Sequence, residues 1–270
     1  MIWTPQLASL LARLPAFQPG HVWLTGAGPG DPGLLTLEAV SALEQADVIV
    51  HDALVDARVL ALARPEAVRK FAGKRGGRPS HVQTDISKHL IAFAREGKRV
   101  LRLKGGDPCV FGRGGEEAAA LAEARVPFRI IPGITAGLAA LTVASIPATM
   151  RGINQALIFV TGHCDGGENT NDWAALARTG QPLVLYMGLR NLDTIARGLI
   201  EGGLRPTSPV AVIASATLPE QRILVSTLDR VADQALSAGF EPPAIVVIGE
   251  IVAARAELLA VAELVAEVSL

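Results

Sequence analysis

Short apolar runs of β type alternate with helical patterns throughout the first half of the chain. HVWLT is followed by the helical pattern LTLEAVSALEQA, and DVIVH by DARVLALA; RKFAG, QTDISKHLIAFARE, RVLRLK, a helix near 116–124 and FRII continue the order. Parallel strands need a crossover, which is usually a helix. The alternation therefore predicts an α/β fold with a mostly parallel N-terminal sheet. The loops after its strands should share one edge, where such sheets bind ligands.

The second half of the chain has a different pattern. Helical candidates lie near 192–201, 228–238 and 252–268, between five β-rich runs, ALIFVT, PLVLYM, PVAVIA, RILVST and AIVVIG. RILVST follows PVAVIA after a link too short for a helical crossover, which predicts an antiparallel pair and a mixed sheet. We therefore expect an N-terminal extension (1–19), an N-terminal α/β domain (20–131) and a C-terminal α/β domain (132–270).

Charge and composition argue against several classes of partner. The 25 basic and 26 acidic residues nearly cancel, and 4% of residues are aromatic, so we expect no nucleic acid or membrane partner. The uncharged stretch 130–150 is interrupted by two prolines and a glycine, which leaves too little to span a bilayer. Cys109 and Cys164 lack CxxC spacing and the N-terminus lacks a signal-peptide pattern, so we expect free thiols and a cytoplasmic protein.

The loop GAGPGDPG after the first β run has the setting of a dinucleotide site. Gly26, Gly28 and Gly30 follow a predicted strand and precede a predicted helix. However, Asp31 occupies the position of the third fingerprint glycine. At about 4 Å its carboxylate would be repelled by a pyrophosphate with roughly 4 kcal/mol, and Pro32 removes a backbone donor. The loop predicts close backbone approach to a ligand that is not polyanionic; the alternative is a tight turn without a ligand.

A second glycine-rich loop lies within RLKGGDPCVFGRGGEE at 102–117, after a predicted strand that ends at Lys104. Gly105 and Gly106 would let the main chain pass close to a ligand. Asp107 can accept hydrogen bonds from hydroxyl or amino groups. These features make this segment a second candidate ligand-binding loop.

Several charged residues lie near these two loops. Arg113 lies between glycines and suits an anion. Glu116 and Glu117 fall where a helix begins, so a favourable interaction with the helix dipole alone could account for both. The segment KFAGKRGGRPS is either a solvated loop or, at the ligand edge, a surface for a multi-carboxylate or phosphate ligand. Its cations are Lys70, Lys74, Arg75 and Arg78.

The sequence predicts no metal site. The five histidines show no metal-ligand spacing. The one local group, His163, Cys164, Asp165 and Glu168, comes from a single loop of mixed ligands with no second cluster, which is a weak zinc signal.

Four stretches together resemble the tetrapyrrole methylase family: GAGPGDPGLLTLEAVSALEQADVIVHDALV, FAGKRGG, RLKGGDPCVFGRGGEE and VPFRIIPGITAG. The resemblance covers about residues 20–255 and is closest to members that methylate uroporphyrinogen III. It implies a homodimer of two-domain α/β chains that bind S-adenosylmethionine in the cleft between the domains, without a metal. It also implies methyl transfer to carbons 2 and 7, giving precorrin-2 by way of precorrin-1, with S-adenosylhomocysteine as the other product. No dehydrogenase and chelatase module, to which some members are fused, is expected.

The same resemblance implies roles for individual residues. The proton acceptor falls on Asp52 and the proton donor on Lys74, and Arg113 is the third catalytic candidate. Substrate-side positions fall on Arg113, Glu116 and Arg151. The basic loop adds Arg75 and Arg78, since uroporphyrinogen III carries eight carboxylates. Cofactor contacts fall on Pro29, Gly105, Gly106, Asp107, Val110, Thr135, Ala136, Met187 and Ala216.

The chain departs from the family pattern at three places. Cys109 stands where phenylalanine is common, and Met150 replaces a usual histidine, so either that histidine is not essential here or the activity is altered. ASAT at 214–217 also differs from the usual pattern, which makes the Ala216 contact a backbone contact.

Three other functions remain as alternatives at this point. GRGGEE argues against a methylase acting later in the corrin pathway, and Asp31 argues against a nucleotide-dependent oxidoreductase. Asp52 with the basic loop argues against a non-catalytic ligand sensor. The sequence leaves open whether the product feeds cobalamin, siroheme or heme d1.

Overall fold

The computed structural model of the chain describes residues 4–72, 83–162 and 171–260. The chain divides into two compact units, Met1–Ala136 and Gly137–Leu270. In the described residues each unit contains one five-stranded sheet. The predicted class, two α/β domains of which the first has a mostly parallel sheet and the second a mixed one, is confirmed.

The strands of the first unit are β1 Val22–Gly26, β2 Val48–His51, β3 Val68–Phe71, β4 Val100–Lys104 and β5 Phe128–Ile131. They form a sheet with the order β3-β2-β4-β1-β5. All four neighbouring pairs are parallel, so the carboxyl ends of the strands lie along one edge. The central strand β4 is buried along its whole length.

Helices cover both faces of this sheet, as parallel strands require. The helices of the first unit are α1 Pro5–Leu11, α2 Leu37–Gln45, α3 Ala57–Leu60, α4 Gln83–Arg95 and α5 Gly114–Glu123. On one face Trp23 and Leu101 pack with Leu43 and Val59 of α2 and α3. On the other face Leu24 and neighbouring strand residues pack against α4 and α5.

The segment that precedes β1 is anchored to the first unit by an aromatic side chain. Phe17 is buried and stacks on Trp23 with 4.1 Å between ring centroids. Its backbone N–H donates to the Gln45 side chain at 2.9 Å. This segment therefore contributes to the core that lies under α2.

The sheet of the second unit has the order β6-β7-β10-β8-β9. β6 and β7 are parallel, and β10 is antiparallel to both β7 and β8. The predicted antiparallel pair of PVAVIA and RILVST is confirmed as β8 and β9. The strands are β6 Ile158–Thr161, β7 Leu183–Tyr186, β8 Pro209–Ala214, β9 Arg222–Thr227 and β10 Ala244–Ile248.

The helices of the second half are α6 Ala136–Val143, α7 Trp173–Arg178, α8 Leu192–Glu201 and α9 Val231–Ser237. The helix predicted at 192–201 is α8, with the same bounds, and the one predicted at 228–238 is the shorter α9. The last candidate starts as a 3-10 turn, Glu250–Ala253, and is helical over 254–260. Across the three described ranges no helix has both the length and the apolar character needed to cross a membrane.

Candidate functional site

Three loops of the first unit meet at the carboxyl edge of its sheet, and glycine makes the contact possible. A Cβ on Gly26, at the end of β1, would lie 2.6 Å from the carbonyl oxygen of Gly106. A Cβ on Gly133, after β5, would lie 2.2 Å from the same oxygen. No side chain fits at such distances, so the backbones after β1, β4 and β5 form one tightly packed floor.

The GAGPGDPG loop is paired with the loop after β4 through its backbone. The Gly28 N–H donates to the Gly106 carbonyl at 3.2 Å, and the Gly106 N–H donates to the Gly28 carbonyl at 2.7 Å. Both glycines have φ +68, in the region that other residues avoid. Pro29 follows Gly28 and is half-buried.

Asp31 is used within its own loop. Its Oδ1 accepts the Gly33 N–H at 2.8 Å and caps the 3-10 turn Pro32–Leu34. The carboxylate thus occupies the start of the helical turn where a dinucleotide fingerprint would receive a pyrophosphate. This geometry agrees with the expectation that the loop does not bind a polyanion.

The Asp107 carboxylate accepts hydrogen bonds from backbone N–H groups of the protein, whereas the sequence predicts hydroxyl or amino groups of a ligand as its donors. Its Oδ1 accepts the Cys109 N–H at 2.8 Å, and its Oδ2 accepts the Gly133 N–H at 3.0 Å. The carboxylate therefore fixes the loop after β4 to the loop after β5. The sequence alone could not show this, because the loop after β5 is distant in the chain.

The remaining cofactor candidates of the first unit lie around the same glycine. A Cβ on Gly106 would be 3.4 Å from Ala136 N and 3.7 Å from Thr135 Cα. Thr135 is buried, and Val110 is half-buried in the loop before α5. Val110 lies three residues beyond Asp107 along the same loop. The structure thus brings the six other cofactor candidates of this unit together: Pro29, Gly105, Gly106, Asp107, Thr135 and Ala136.

The loop before α5 holds its arginine in an uncommon backbone conformation. Arg113 has φ 59 and Phe111 has φ 51, and the Gly114 N–H donates to the Pro108 carbonyl at 2.9 Å. Left-handed non-glycine residues are often found at functional sites. Arg113 Nε donates to both Glu116 oxygens, at 3.0 and 3.2 Å, and 59% of the Arg113 side chain stays exposed.

Asp52 follows the last residue of β2 and faces the loop after β4. Its Oδ1 accepts the Leu54 N–H at 3.0 Å, and its Oδ2 accepts the Gly105 N–H at 3.4 Å. The side chain is half-buried. A carboxylate that is oriented by backbone donors and remains partly accessible can accept a proton from a bound molecule.

A buried charged cluster lies beneath this edge, and the sequence interpretation missed it. Glu117 is fully buried, and its Oε1 accepts from Arg102 Nε and Lys104 Nζ, both at 3.1 Å. The helix-dipole interpretation of Glu117 is therefore incomplete. The sequence feature that could have revealed this cluster is the presence of two cations, Arg102 and Lys104, within a central parallel strand, because buried cations need partners.

Two cofactor candidates of the second unit lie at one edge of its sheet. Met187 follows β7 and Ala216 lies just beyond β8; both strands run in the same direction on either side of β10. Met187 has φ 55 and is 52% exposed. The Tyr186 hydroxyl accepts the Gly137 N–H at 2.8 Å, which fixes the first turn of α6 next to this edge.

The other predicted site residues divide into two groups. Arg151 lies in an exposed turn that precedes β6. The candidates Lys74, Arg75 and Arg78, and the weak zinc group His163, Cys164, Asp165 and Glu168, lie outside the described residues. Within the ranges that are described, histidine, cysteine and carboxylate side chains form no group of three that could hold a metal ion.

Comparison with known proteins gives a consistent set of relatives. The family model of the tetrapyrrole (corrin/porphyrin) methylases matches residues 21–232. A uroporphyrinogen-III C-methyltransferase from Sinorhizobium sp. is 56% identical over 251 residues, which cover 92% of this chain and 90% of that protein. A siroheme synthase from Zymomonas mobilis is 47% identical over 239 residues, which cover 88% of this chain and 50% of that protein. The chain thus spans about half the length of that synthase.

A solved structure shares the fold. The uroporphyrin-III C-methyl transferase from Thermus thermophilus, crystallised with S-adenosylhomocysteine, superposes with a TM-score of 0.76 at 39% identity. The match covers 87% of this chain and 99% of that one. The two-domain α/β architecture is therefore that of this structural neighbour.

Proposed function

The chain belongs to the tetrapyrrole methylase family, and we propose that it transfers methyl groups from S-adenosylmethionine to uroporphyrinogen III. The observation that carries the proposal is the 56% identity to a uroporphyrinogen-III C-methyltransferase along nearly the whole of both chains. The crystal structure with S-adenosylhomocysteine supports the choice of methyl donor.

The carboxyl edge of the first sheet suits S-adenosylmethionine better than a nucleotide phosphate. The glycine floor formed by Gly26, Gly106 and Gly133 would let a ligand approach the main chain. Asp31 and Asp107 would repel phosphate there but do not conflict with a ligand that carries a sulfonium and an ammonium group. When bound, the ligand would supply an electrophilic methyl group on sulfur.

We assign cofactor binding to the residues that the family resemblance indicates. In the first unit the floor and the loop after β4 would contact the ligand through backbone groups, with Asp107 fixing the loop. In the second unit Met187 and Ala216 would contribute from the ends of β7 and β8. The proposed set is Pro29, Gly105, Gly106, Asp107, Val110, Thr135, Ala136, Met187 and Ala216.

We propose that the methyl groups are added at carbons 2 and 7 of uroporphyrinogen III, which gives precorrin-2 by way of precorrin-1. Methyl transfer is an in-line displacement at carbon, so most of the rate enhancement should come from holding the pyrrole carbon against the methyl group. A base is needed when the methylated ring loses a proton. Asp52 is the proposed base and Lys74 the proposed proton donor.

The substrate's eight carboxylates set the chemistry of the remaining site residues. Arg113, Arg151, Arg75 and Arg78 would bind them through charge-assisted hydrogen bonds of about 1.5–3 kcal/mol each. Glu116 contacts Arg113 Nε through both carboxylate oxygens. We propose that Glu116 keeps this arginine extended for a substrate carboxylate.

The decisive experiment is an anaerobic incubation of the protein with S-adenosylmethionine and uroporphyrinogen III, followed by mass spectrometry of the macrocycle. We expect a dimethylated, precorrin-2-like product. No methyl incorporation would refute the proposal. Methylation of a later precorrin but not of uroporphyrinogen III would support the alternative, a later step of the corrin pathway. The homodimer and the cytoplasmic location remain predictions, and gel filtration tests the first.

A further inference from the structure

The proposed reaction does not use the most deeply buried charges of the first unit. Arg102 and Lys104 are each 3% exposed, and Glu117 is 0% exposed. Two cations share one carboxylate oxygen, at 3.1 Å each. One positive charge is therefore in excess in a site that excludes water, an arrangement that is costly unless a further negative group offsets it.

The strand register indicates which negative group lies nearby. In the parallel pair of β2 and β4, Val50 pairs with Arg102 and His51 with Leu103, so the next position along places Asp52 opposite Lys104. Alternation along each strand puts both side chains on the sheet face that carries α4 and α5. The Gly105 N–H, which donates to Asp52 Oδ2, belongs to the residue directly after Lys104.

The electrostatics agree with this placement. Burial and Arg102 lower the pKa of Lys104, while Glu117 and then Asp52 act in the opposite direction. In the described ranges Asp52 has no ion-pair contact within 4.0 Å. Lys104 thus contacts Glu117 directly, and among the charges that act on it Asp52 makes the smallest contribution, through space.

We propose that Lys104, held in place by Glu117, is a positioning residue that orients the Asp52 carboxylate against the Gly105 N–H. Glu117 lies in the first turn of α5, so the same contact ties the start of α5 to the end of β4. The proposal rests on the assignment of Asp52 as the base. It predicts that Lys104 affects turnover without taking part in cofactor binding.

A double-mutant cycle on stability tests the coupling without any assay of methyl transfer. The four proteins are the wild type, Lys104→Met, Asp52→Asn and the double variant, compared by chemical denaturation. We expect the effects to be non-additive by about threefold in the unfolding equilibrium constant, as for other interacting pairs. Additive effects would overturn the proposal.

Kinetics separate positioning from simple structural support. Lys104→Met should lower kcat about tenfold, less than the roughly 10²–10⁴-fold that a general base itself contributes, and leave the KM for S-adenosylmethionine unchanged. Lys104→Arg should recover most of the lost kcat because it keeps the charge. An equal loss in both lysine variants, or a loss confined to KM, would contradict the proposal.

Two further variants belong to the kinetic experiment, one as a control and one as a test of Glu117. Lys98→Met removes an exposed lysine just before β4 and should leave kcat unchanged. Glu117→Gln keeps both cations and an acceptor oxygen but removes the negative charge that holds Lys104, and should lower kcat in the same direction as Lys104→Met; an unchanged kcat would refute the role of Glu117. If Lys104→Met does not fold, Lys104→Gln takes its place, because it keeps a donor for Glu117 without the charge, and an unchanged kcat in that variant would overturn the proposal. If the wild type transfers no methyl group, the proposed function fails, and the stability cycle still decides the coupling.

Discussion

A single strand, β2, has an aspartate directly before it and another directly after it, and the two carboxylates are held in opposite ways. Asp47, at the amino edge of the sheet, is bound by the guanidinium groups of Arg99 and Arg64. Asp52, at the carboxyl edge, is bound by the backbone N–H groups of Leu54 and Gly105. One carboxylate is neutralised by cations in contact with it, and the other is oriented but left without such a contact in the described residues.

The contacts of Asp47 explain its electrostatics. Its Oδ2 accepts from Arg99 N at 2.8 Å and from Arg99 Nε at 3.0 Å, and its Oδ1 accepts from Arg99 Nη2 at 2.8 Å. Hydrogen bonds from Arg99 hold the pKa of Asp47 well below its ordinary value of 3.8, although burial opposes the shift. This carboxylate joins the loop before β2 to the loop before β4 and serves stability.

The two edges of this sheet serve different purposes. At the amino edge, Arg99 and Arg64 donate to the Asp47 carboxylate in an ion-pair network that stabilises the fold. The carboxyl edge carries glycines, strained loop residues and a carboxylate oriented by main-chain donors, which is typical of ligand-binding edges in α/β folds. Substitutions at the two edges should therefore affect different properties, stability at the amino edge and turnover at the carboxyl edge.

Asp52→Asn should have the largest effect. We expect kcat for methyl transfer to fall by about 10³-fold, because an amide cannot accept the proton. The affinity for S-adenosylhomocysteine, measured by calorimetry, should not change. Asp47→Asn is the matched control at the other end of β2 and should keep the wild-type kcat per folded molecule. If the two variants lose kcat equally, the division between the edges is wrong.

Arg113→Ala should have an intermediate effect. Removing one charge-assisted contact to a substrate carboxylate should lower turnover by about tenfold or more, with a much smaller loss of S-adenosylmethionine affinity. Arg197→Ala is the control, because Arg197 also forms an exposed ion pair, with Asp193 on α8. Equal losses in turnover and in cofactor affinity would show that Arg113 does not act on the substrate side.

Asp47→Asn should have the smallest effect, and it should appear in stability alone. We expect the free energy of unfolding to fall by about 1–2 kcal/mol at neutral pH, as when one partner of a charge-assisted hydrogen bond is lost. Denaturant titration at pH 7 measures it. A variant as stable as the wild type would contradict the stabilising role of the amino edge.

The pH dependence of the same variant gives a second check. The pKa of Asp47 is lowered in the folded state, so its stabilisation is fully present above the ordinary value of 3.8 and is lost as pH falls through the lowered pKa. The stability difference between wild type and Asp47→Asn should therefore shrink below about pH 4. A difference that grows on acidification would contradict this assignment.

Much of the fold could be predicted because local pattern and tertiary structure agree. Five apolar runs in the second half are strands, and the helix predicted at 192–201 is α8 with the same bounds. The ends of α9 and the split of the last helix into a 3-10 turn and a helical part depend on tertiary packing. No local pattern encodes them.

The site could be predicted in part. The glycines after β1 and β4 indicated a close backbone approach, and the structure shows how Gly133 completes it. The Asp107 contact with Gly133 and the burial of Glu117 could not be read locally, because each joins segments far apart in sequence. The family resemblance supplied the roles of Asp52 and Arg113, which periodicity alone does not reveal.

The central claim is that this chain methylates uroporphyrinogen III at the carboxyl edge that Asp52 occupies. The most direct measurement is a reaction of uroporphyrinogen III with at least two equivalents of S-adenosylmethionine labelled with ¹³C in the methyl group, stopped when the wild-type protein has completed both transfers and followed by NMR of the macrocycle. The account predicts label at carbons 2 and 7 with the wild-type protein, and loss of that label with Asp52→Asn. A macrocycle without label from the wild type, or label at other carbons, would contradict it.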